Sequence, residues 1–304
     1  MEIKNKILLV VNPISGGIDK SKLINAVKAE INTRNYSLEI YKTSDVNDQD
    51  NIEKIIIEFK PERILVAGGD GTIQLVAEVL KNHDIPIGIL PVGSSNGLAH
   101  NLHLPAQINE QLKVALGNSF FKIDTLQING RTCLHIADLG INAELVRNFQ
   151  NSNIRGKLGY ILHSIPTLIK CEYPFEFEIE ANGKHIVQKG VLLAIANANK
   201  YGTGSNINPS GKLNDGFFEL IIFKNLNFVE IFKTLNDQIF LDPEFAEIIS
   251  TSSARINCRI PVSFQIDGQY IGKISKVVAA IGHKKIEIAV PSSFPKSFLI
   301  VMKI

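Results

Sequence analysis

Three glycine-rich segments carry the residues best suited to bind phosphate. They are NPISGG at 12–17, GGDGT at 68–72 and PVGSSN at 91–96. Each directly follows a short apolar run and precedes a predicted helix. Glycines at such a junction allow positive φ and let a ligand approach the main chain, and a helix N-terminus offers unpaired N–H groups to an anion. Together the three segments predict a polyphosphate site.

Asp70 stands in the middle of the second segment. A carboxylate there would repel phosphate unless a divalent cation lay between them, so Asp70 predicts a nucleotide phosphate bound with Mg²⁺. Thr72 is suited to cap the following helix, with its hydroxyl also near phosphate. A tight turn with a solvated aspartate is the alternative. Neither the Walker pattern nor a dinucleotide fingerprint after the first strand is found.

Strands and helices alternate in the first part of the chain. Apolar runs predict strands at 6–11, 37–42, 63–67 and 87–90, and helical spacing predicts helices at about 19–32, 49–59, 72–82 and 107–117. This alternation implies a parallel sheet with helices on both faces. Ligands bind beyond the carboxyl ends of such strands, where all three glycine-rich segments begin.

The pattern changes from about residue 121. Short alternating or β-branched runs are separated by Asn129-Gly130, Asn182-Gly183 and Asp267-Gly268, which are typical hairpin turns. Helices are predicted near 156–170 and 227–240, and a last apolar strand at the end of the chain. The second part is therefore expected to be an antiparallel β domain.

Composition narrows the class of protein. The 304 residues suggest two domains, and a net charge of +2 with 20% charged residues argues against a nucleic acid partner. No signal peptide and no apolar run of membrane-spanning length are evident. Cys133, Cys171 and Cys258 are widely spaced and are interpreted as reduced, mostly buried thiols of a cytoplasmic protein. The oligomeric state stays open, a homodimer included.

In their order and spacing, the three segments resemble the diacylglycerol kinase catalytic domain, which is related to sphingosine and ceramide kinases and, more distantly, to NAD kinase. RGKLGYIL at 155–162, the segment 196–220 and FQIDGQYIG at 264–272 extend the resemblance. It implies an NAD kinase-like α/β domain with a parallel sheet at 1–128 and an antiparallel β-sandwich, binding lipid, at 129–291. It also implies that the tail 292–304 returns to the first domain.

The resemblance further implies an activity. A cytoplasmic, peripherally membrane-associated enzyme would use ATP and Mg²⁺ to phosphorylate the hydroxyl of a diacylglycerol-like or sphingoid lipid at the membrane surface. The implied nucleotide-binding residues are Asn12, Pro13, Ser15, Gly16, Thr43, Gly68, Gly69, Asp70, Gly71, Thr72, Gly93, Ser94 and Asn96, with Asp70 also catalytic. Ser94 replaces the usual threonine, and Gly97 replaces an aspartate common in bacterial diacylglycerol kinases.

The segment LNDGFF is the candidate metal site. Carried over from the family, a structural Mg²⁺ would be bound by the side chain of Asp215 and the main-chain carbonyls of Lys212 and Phe217. A carboxylate beside free carbonyls suits a hard cation. A hairpin turn whose aspartate accepts main-chain bonds is the alternative.

Asp267 is the candidate general base. The family typically reads Asp-Gly-Glu here, whereas this chain has Gln269 in place of the glutamate. A carboxylate can take the proton of an attacking alcohol, and glutamine cannot. A turn residue is the alternative for Asp267. At the level of function, an NAD kinase-like enzyme and a catalytically weakened ATP- and lipid-binding module stay as alternatives.

Overall fold

The computed structural model describes residues 5–17, 19–94, 96–144, 174–198, 200–201, 205–209, 211–225 and 242–295. They form two compact units. The chain passes from the first unit to the second after Ile123 and returns to the first at Lys284. Within the described residues, no helix is both long enough and apolar enough to cross a membrane.

The first unit alternates strands and helices, as predicted. Its strands are β1 (Lys6–Val11), β2 (Ser37–Lys42), β3 (Arg63–Gly68), β4 (Ile87–Pro91) and β5 (Phe120–Ile123). Its helices are α1 (Ser21–Thr33), α2 (Asp48–Phe59), α3 (Asp70–Val79), α4 (Gly97–Asn101) and α5 (Ile108–Ala115), with 3₁₀ turns at Ser15–Gly17 and Leu80–Asn82. All four predicted strands and all four predicted helices are present.

The central strands of the first sheet are buried on both faces. Strands β1, β3 and β4 are parallel neighbours, with Leu9 beside Leu65 and Val66 beside Ile89. Successive β1 residues are fully buried, so residues facing opposite sides of the sheet are both covered. Helix α1 presents apolar residues at helical spacing to one face, where they pack with α5 against β1 and β3. Burial on both faces explains why these strands are almost wholly apolar.

The second unit is antiparallel. Its strands are β6 (Leu126–Ile128), β7 (Arg131–Cys133), β8 (Ile136–Gly140), β9 (Phe175–Ala181), β10 (Lys184–Gly190), β11 (Leu192–Ala196), β12 (Lys200–Tyr201), β13 (Ser205–Asn206), β14 (Phe218–Phe223), β15 (Ala246–Thr251), β16 (Ser253–Ile266) and β17 (Gln269–Ile281). The main sheet runs β15-β14-β11-β8-β16-β17-β6-β7, and β9 joins β16 to β10. Its core includes Leu139, Phe177, Phe218 and Phe264. The helices predicted near 156–170 and 227–240 and the strand predicted at the chain end lie outside the described residues.

The predicted hairpin turns occur where the sequence places them. Asn129, Asn182 and Asp267 have φ of 49°, 52° and 47°, and the glycine after each is also left-handed. Two successive left-handed residues are what a type I′ turn requires. These turns join β6 to β7, β9 to β10 and β16 to β17.

A late strand completes the first sheet. Strand β18 (Ile286–Ala289) gives the order β2-β1-β3-β4-β18-β5, parallel to β4 and antiparallel to β5. The prediction that this segment belongs to the β domain is therefore wrong, because an alternating run alone does not show which sheet it joins.

The two described cysteines, Cys133 and Cys258, are free and buried, as expected. Burial raises the pKa of Cys258 to about 11. Burial likewise raises the pKa of Cys133, well above that of an exposed thiol. Cys171 lies outside the described residues.

Gly88 on β4 has a neighbour that forbids a side chain. A Cβ atom added to Gly88 would lie 2.5 Å from the carbonyl oxygen of Ala115 and 2.8 Å from its Cβ. We therefore expect Gly88→Ala to lower the free energy of unfolding by about 1–3 kcal/mol, since α5 must move away from β4. Urea denaturation followed by circular dichroism measures this.

Gly71→Ala is the matched control, because a Cβ added there has no atom within 4 Å and Gly71 lies inside α3. Alanine in a helix is more stable than glycine by about 0.5–1 kcal/mol. Equal stabilities for the two variants would contradict close packing at Gly88.

Candidate functional site

The three glycine-rich segments meet at the carboxyl edge of the first sheet. The amide of Asn12 donates to the carbonyl of Ala67 at 3.0 Å, and the amide of Val92 donates to the carbonyl of Gly68 at 3.0 Å. These bonds continue the sheet ladder past the last residues of the strands. The beginnings of all three loops are thereby held side by side, as the sequence predicts.

Glycines let the loops pack backbone against backbone. A Cβ atom added to Gly93 would lie 2.4 Å from the Cα of Gly69, and one added to Gly16 would lie 2.3 Å from the carbonyl oxygen of Val92. Gly16 is also left-handed, with φ of 63°. A side chain at either position would force the loops apart. The glycines thus admit the neighbouring loop, a reason that the sequence alone does not reveal.

Thr72 lies inside helix α3, which begins at Asp70 with Gly69 as its N-cap residue. It therefore does not cap the helix, contrary to our expectation. Its side chain is buried over Gly68, where an added Cβ would lie 2.2 Å from the Thr72 hydroxyl oxygen. The absence of a side chain at Gly68 leaves room for this hydroxyl at the strand end.

Asp70 ties the second loop to the third. Its carboxylate accepts the amide of Gly97 at 2.8 Å and the amide of Leu98 at 3.0 Å. These are the first two amides of α4, which the sequence predicted neither as a helix nor as a partner of Asp70. An acceptor that satisfies exposed N–H groups at a helix start stabilises that helix. The metal-facing role of Asp70 stays a prediction.

Asn96 shapes the third loop from within. It is left-handed, with φ of 54°, and its amide group accepts the Gly93 N–H at 2.8 Å and donates to the Gly93 carbonyl at 2.9 Å. Ser94 and Pro13 are exposed at the loop surfaces. In the first loop, the Asn12 side chain accepts the Ile14 amide at 3.1 Å. Both asparagines therefore order the loops.

Two residues extend this edge of the sheet. The amide of Thr43, directly after β2, donates to the carbonyl of Val11 at 2.9 Å, so Thr43 lies beside the start of the first loop. The ammonium group of Lys20 is buried and bonds to the carbonyl of Ser15. Burial lowers the pKa of Lys20. Our sequence interpretation missed Lys20, because it stands beyond the glycine motif.

In the second unit, two carboxylates flank the predicted metal loop. Asp215 accepts the Phe217 amide at 3.1 Å, and Asp124 accepts the Gly216 amide at 2.8 Å. The amide of Asp124 also donates to the carbonyl of Leu213 at 2.6 Å. No sequence pattern points to Asp124, since it lies far from the loop along the chain. In the described part of the chain, no group of three or more His, Cys, Asp or Glu side chains could hold a metal ion.

Asp267 is anchored by three main-chain donors. Its carboxylate accepts the amides of Leu134 at 2.8 Å, His135 at 2.9 Å and Ile136 at 3.0 Å. Its own amide donates to the Ile136 carbonyl at 2.8 Å. Burial raises the pKa of the Asp267 carboxyl, and the main-chain donors oppose that rise. Gln269 is exposed at the start of β17.

A buried polar cluster supports this turn from β8. The carboxylate of Asp138 accepts the side-chain amide of Asn142 at 2.6 Å and that of Gln265. The Gln265 side chain in turn accepts the Gly268 amide at 2.7 Å. The turn that carries Asp267 is therefore fixed by side chains as well as by its own main chain.

Two family models match the chain. The diacylglycerol kinase catalytic domain matches residues 6–128, and the YegS C-terminal NAD kinase beta sandwich-like domain matches residues 136–290. The first match includes all three glycine-rich segments. The second includes Asp215 and Asp267.

Individual proteins agree with these matches. "Diacylglycerol kinase" of Bacillus subtilis is 28% identical over 282 residues, covering 88% of this chain and 90% of that protein. "Probable lipid kinase YegS" of Escherichia coli is 29% identical over 216 residues, covering 68% and 71%.

Solved structures share the fold. A diacylglycerol kinase from Bacillus anthracis superimposes with a TM-score of 0.71 at 18% identity, covering 96% of this chain and 98% of that one. An NAD kinase from Archaeoglobus fulgidus in complex with ATP gives a TM-score of 0.53 at 12% identity, covering 96% and 95%. The predicted α/β and β-sandwich architecture is thus confirmed, and the chain belongs to the diacylglycerol kinase catalytic-domain family.

Proposed function

We propose that this chain is a lipid kinase that uses ATP and Mg²⁺ to phosphorylate the hydroxyl of a diacylglycerol-like or sphingoid lipid. The observation that carries the proposal is the meeting of the three glycine-rich loops at one sheet edge. Phosphoryl transfer depends on positioning and charge stabilisation more than on covalent chemistry by the protein. A glycine-lined edge at which a phosphate can approach the main chain closely suits that task.

The loops of the first unit would bind the nucleotide. The proposed contacts are main-chain amides and hydroxyls of Asn12–Gly16, of Gly68–Thr72 and of Gly93, Ser94 and Asn96, and Thr43 would add a hydroxyl beside the first loop. Through its bonds to Gly97 and Leu98, Asp70 holds the start of α4, and with it the third loop, next to the second loop. The buried ammonium of Lys20 adds positive charge next to the first loop.

Asp267 is proposed as the general base. Its three main-chain donors hold the carboxylate in one orientation, and the raised pKa moves it closer to the range in which a carboxyl group accepts protons effectively. One carboxylate oxygen, Oδ1, accepts the main-chain amides of His135 and Ile136, whereas the other, Oδ2, accepts the main-chain amide of Leu134. Oδ2 is therefore the better placed to take the proton of a lipid hydroxyl.

The residues around Asp215 fit a hard cation. Carboxylate and main-chain carbonyl oxygens are the ligands that Mg²⁺ prefers, and this loop offers Asp215 with the carbonyls of Lys212 and Phe217. Asp124 holds the loop through the Gly216 amide. A cation bound here would supply charge that orders the loop. Asp70, in the first unit, is the proposed partner of the nucleotide-bound Mg²⁺.

The acceptor determines where the enzyme works. Diacylglycerols and sphingoid lipids both stay in the membrane through their long hydrocarbon chains, so we propose a cytoplasmic protein that associates peripherally with the membrane surface. The fold shared with NAD kinase makes NAD the informative competing acceptor.

A substrate panel tests the proposal. The chain is incubated with radiolabelled ATP, Mg²⁺ and either detergent-dispersed diacylglycerol, sphingosine or undecaprenol, or NAD. We expect label in one of the lipids and none in NAD. Asp70→Ala should lower that transfer at least a hundredfold, because it releases α4 and removes the metal-facing carboxylate.

Asp50→Ala is the control, since Asp50 is an exposed acid on α2. Its transfer rate should match that of the parent. Label in NAD alone, or a folded Asp70→Ala protein with parent-like turnover, would contradict the proposal.

The metal loop is tested through stability. A cation that binds only the native state raises Tm as its concentration increases. We expect 10-fold steps of Mg²⁺ to raise the Tm of the parent, and Asp215→Ala to reduce that rise. Differential scanning calorimetry measures both.

Asp242→Ala is the matched control, because Asp242 accepts the Glu244 amide at 2.9 Å in the same kind of turn. Its Tm should respond to Mg²⁺ as the parent does. An unchanged Mg²⁺ response in Asp215→Ala would remove the metal assignment.

The proposed base is tested by Asp267→Asn and Gln269→Glu. Asp267→Asn should cut lipid phosphorylation by roughly two to four orders of magnitude with ATP affinity nearly unchanged. Gln269→Glu should change the rate only modestly, because a base is already present. Lipid phosphorylation is measured below the Tm of each variant, since the asparagine also weakens the bonds to Leu134–Ile136. A silent parent that Gln269→Glu activates would instead indicate a weakened enzyme and refute Asp267 as its base.

A further inference from the structure

The loop after β2 is organised around one buried carboxylate, that of Asp48. Asp48 is the first residue of α2 and is only 7% exposed. Its carboxylate accepts the Ser44 amide at 3.0 Å, the Asp45 amide at 2.9 Å and the Tyr41 hydroxyl at 2.6 Å. A buried carboxylate with this many donors is strongly held in one orientation.

The backbone of this loop contains two left-handed residues. Asp45 and Asn47 have φ of 63° and 52°. Aspartate and asparagine adopt this region more readily than other non-glycine residues, at a small cost. The bonds from Asp48 to the Ser44 and Asp45 amides hold the first of these turns in place. The Tyr41 hydroxyl is in turn held by the side-chain amide of Asn51 at 3.1 Å.

Thr43 stands between two fixed points. Its own amide is bonded to Val11 at the end of β1, and the next residue, Ser44, is bonded to Asp48. Thr43 is only 8% exposed. Because so little of its side chain reaches solvent, the orientation of that side chain determines whether a ligand can contact it. Both anchors lie within the first unit, and the Val11 anchor adjoins the first glycine-rich loop.

We infer that Asp48 is a positioning residue for the nucleotide site, which acts by fixing Thr43 beside the first glycine-rich loop. This inference rests on the proposed function, in which Thr43 contacts the nucleotide. Asp48 touches no ligand itself. Its effect on nucleotide binding is transmitted through the Ser44 and Asp45 amides to the strand end.

A double-mutant cycle tests the inference with ATP as the probe. The dissociation constant for ATP is measured by calorimetry for the parent, Thr43→Val, Asp48→Asn and the double variant, which makes the result independent of the lipid acceptor. We expect Asp48→Asn to weaken ATP binding by about three- to tenfold, since the amide keeps the size but loses one acceptor for the loop amides. In the Thr43→Val background it should have almost no further effect.

Asp50→Asn is the matched control, because it removes an exposed charge from the same first turn of α2. Its ATP affinity should equal that of the parent. If Asp48→Asn proves unfolded by circular dichroism, Tyr41→Phe replaces it in the cycle. That variant removes one donor and should weaken ATP binding about two- to threefold, again only when Thr43 is present.

Three results would overturn the inference. Independent, multiplicative losses from Thr43→Val and Asp48→Asn would show that Asp48 does not act through Thr43. A folded Asp48→Asn protein with a lower Tm but parent-like ATP affinity would show a purely structural role. A parent that binds no ATP would remove the proposed function as well, which distinguishes that failure from the other two.

Discussion

The proposed nucleotide site depends on how closely two strand-end loops approach each other. Gly69 and Gly93 are in direct main-chain contact, and neither could carry a side chain without pushing the other away. The Asp70 carboxylate then bonds across the same gap to the start of α4. Steric exclusion and a charge-assisted pair of hydrogen bonds thus act on the same contact. The orientation of the third loop, and with it that of Asn96, follows from this contact.

Local signals explain what could be predicted from the sequence. Strands β1, β3 and β4 are nearly continuous apolar runs because they are buried on both faces, and such runs can be recognised in the sequence alone. The hairpin turns are equally predictable, because Asn-Gly and Asp-Gly are among the few dipeptides that accept two successive left-handed conformations. The three candidate phosphate loops can be predicted for the same reason, since glycines directly after a strand indicate a tight turn or a close approach to the main chain.

Long-range polar pairs explain what could not be predicted. Asp124 bonds to Gly216, and Asp70 bonds to Leu98, at sequence separations that no periodic pattern records. The role of Asp48 was equally hidden, because an aspartate at a helix start normally suggests only a favourable charge near the helix dipole. Membership of one sheet or the other was also beyond local pattern, as β18 shows.

Asp267 shows that two interpretations of one residue need not compete. The sequence presents it either as a turn residue or as a base. In the structure, the left-handed turn itself directs the carboxylate back to the amides of Leu134, His135 and Ile136. The turn geometry is therefore the means by which this carboxylate is oriented. A turn residue without a side-chain oxygen would leave those three amides without their acceptor.

The return of the chain to the first sheet has a consequence for folding. Strands β5 and β18 pair although the whole second unit separates them along the chain, and contacts of such high sequence separation normally slow folding. Here the second unit brings its own first and last strands together, since Leu126 on β6 lies opposite Ile281 on β17 and the Gly282 amide donates to the Thr125 carbonyl at 2.7 Å. Once that unit has folded, the chain enters it from β5 and leaves it towards β18 at adjacent positions. Most of the entropic cost of bringing β18 back to β5 has then already been met by the folding of the second unit, before the first sheet is completed.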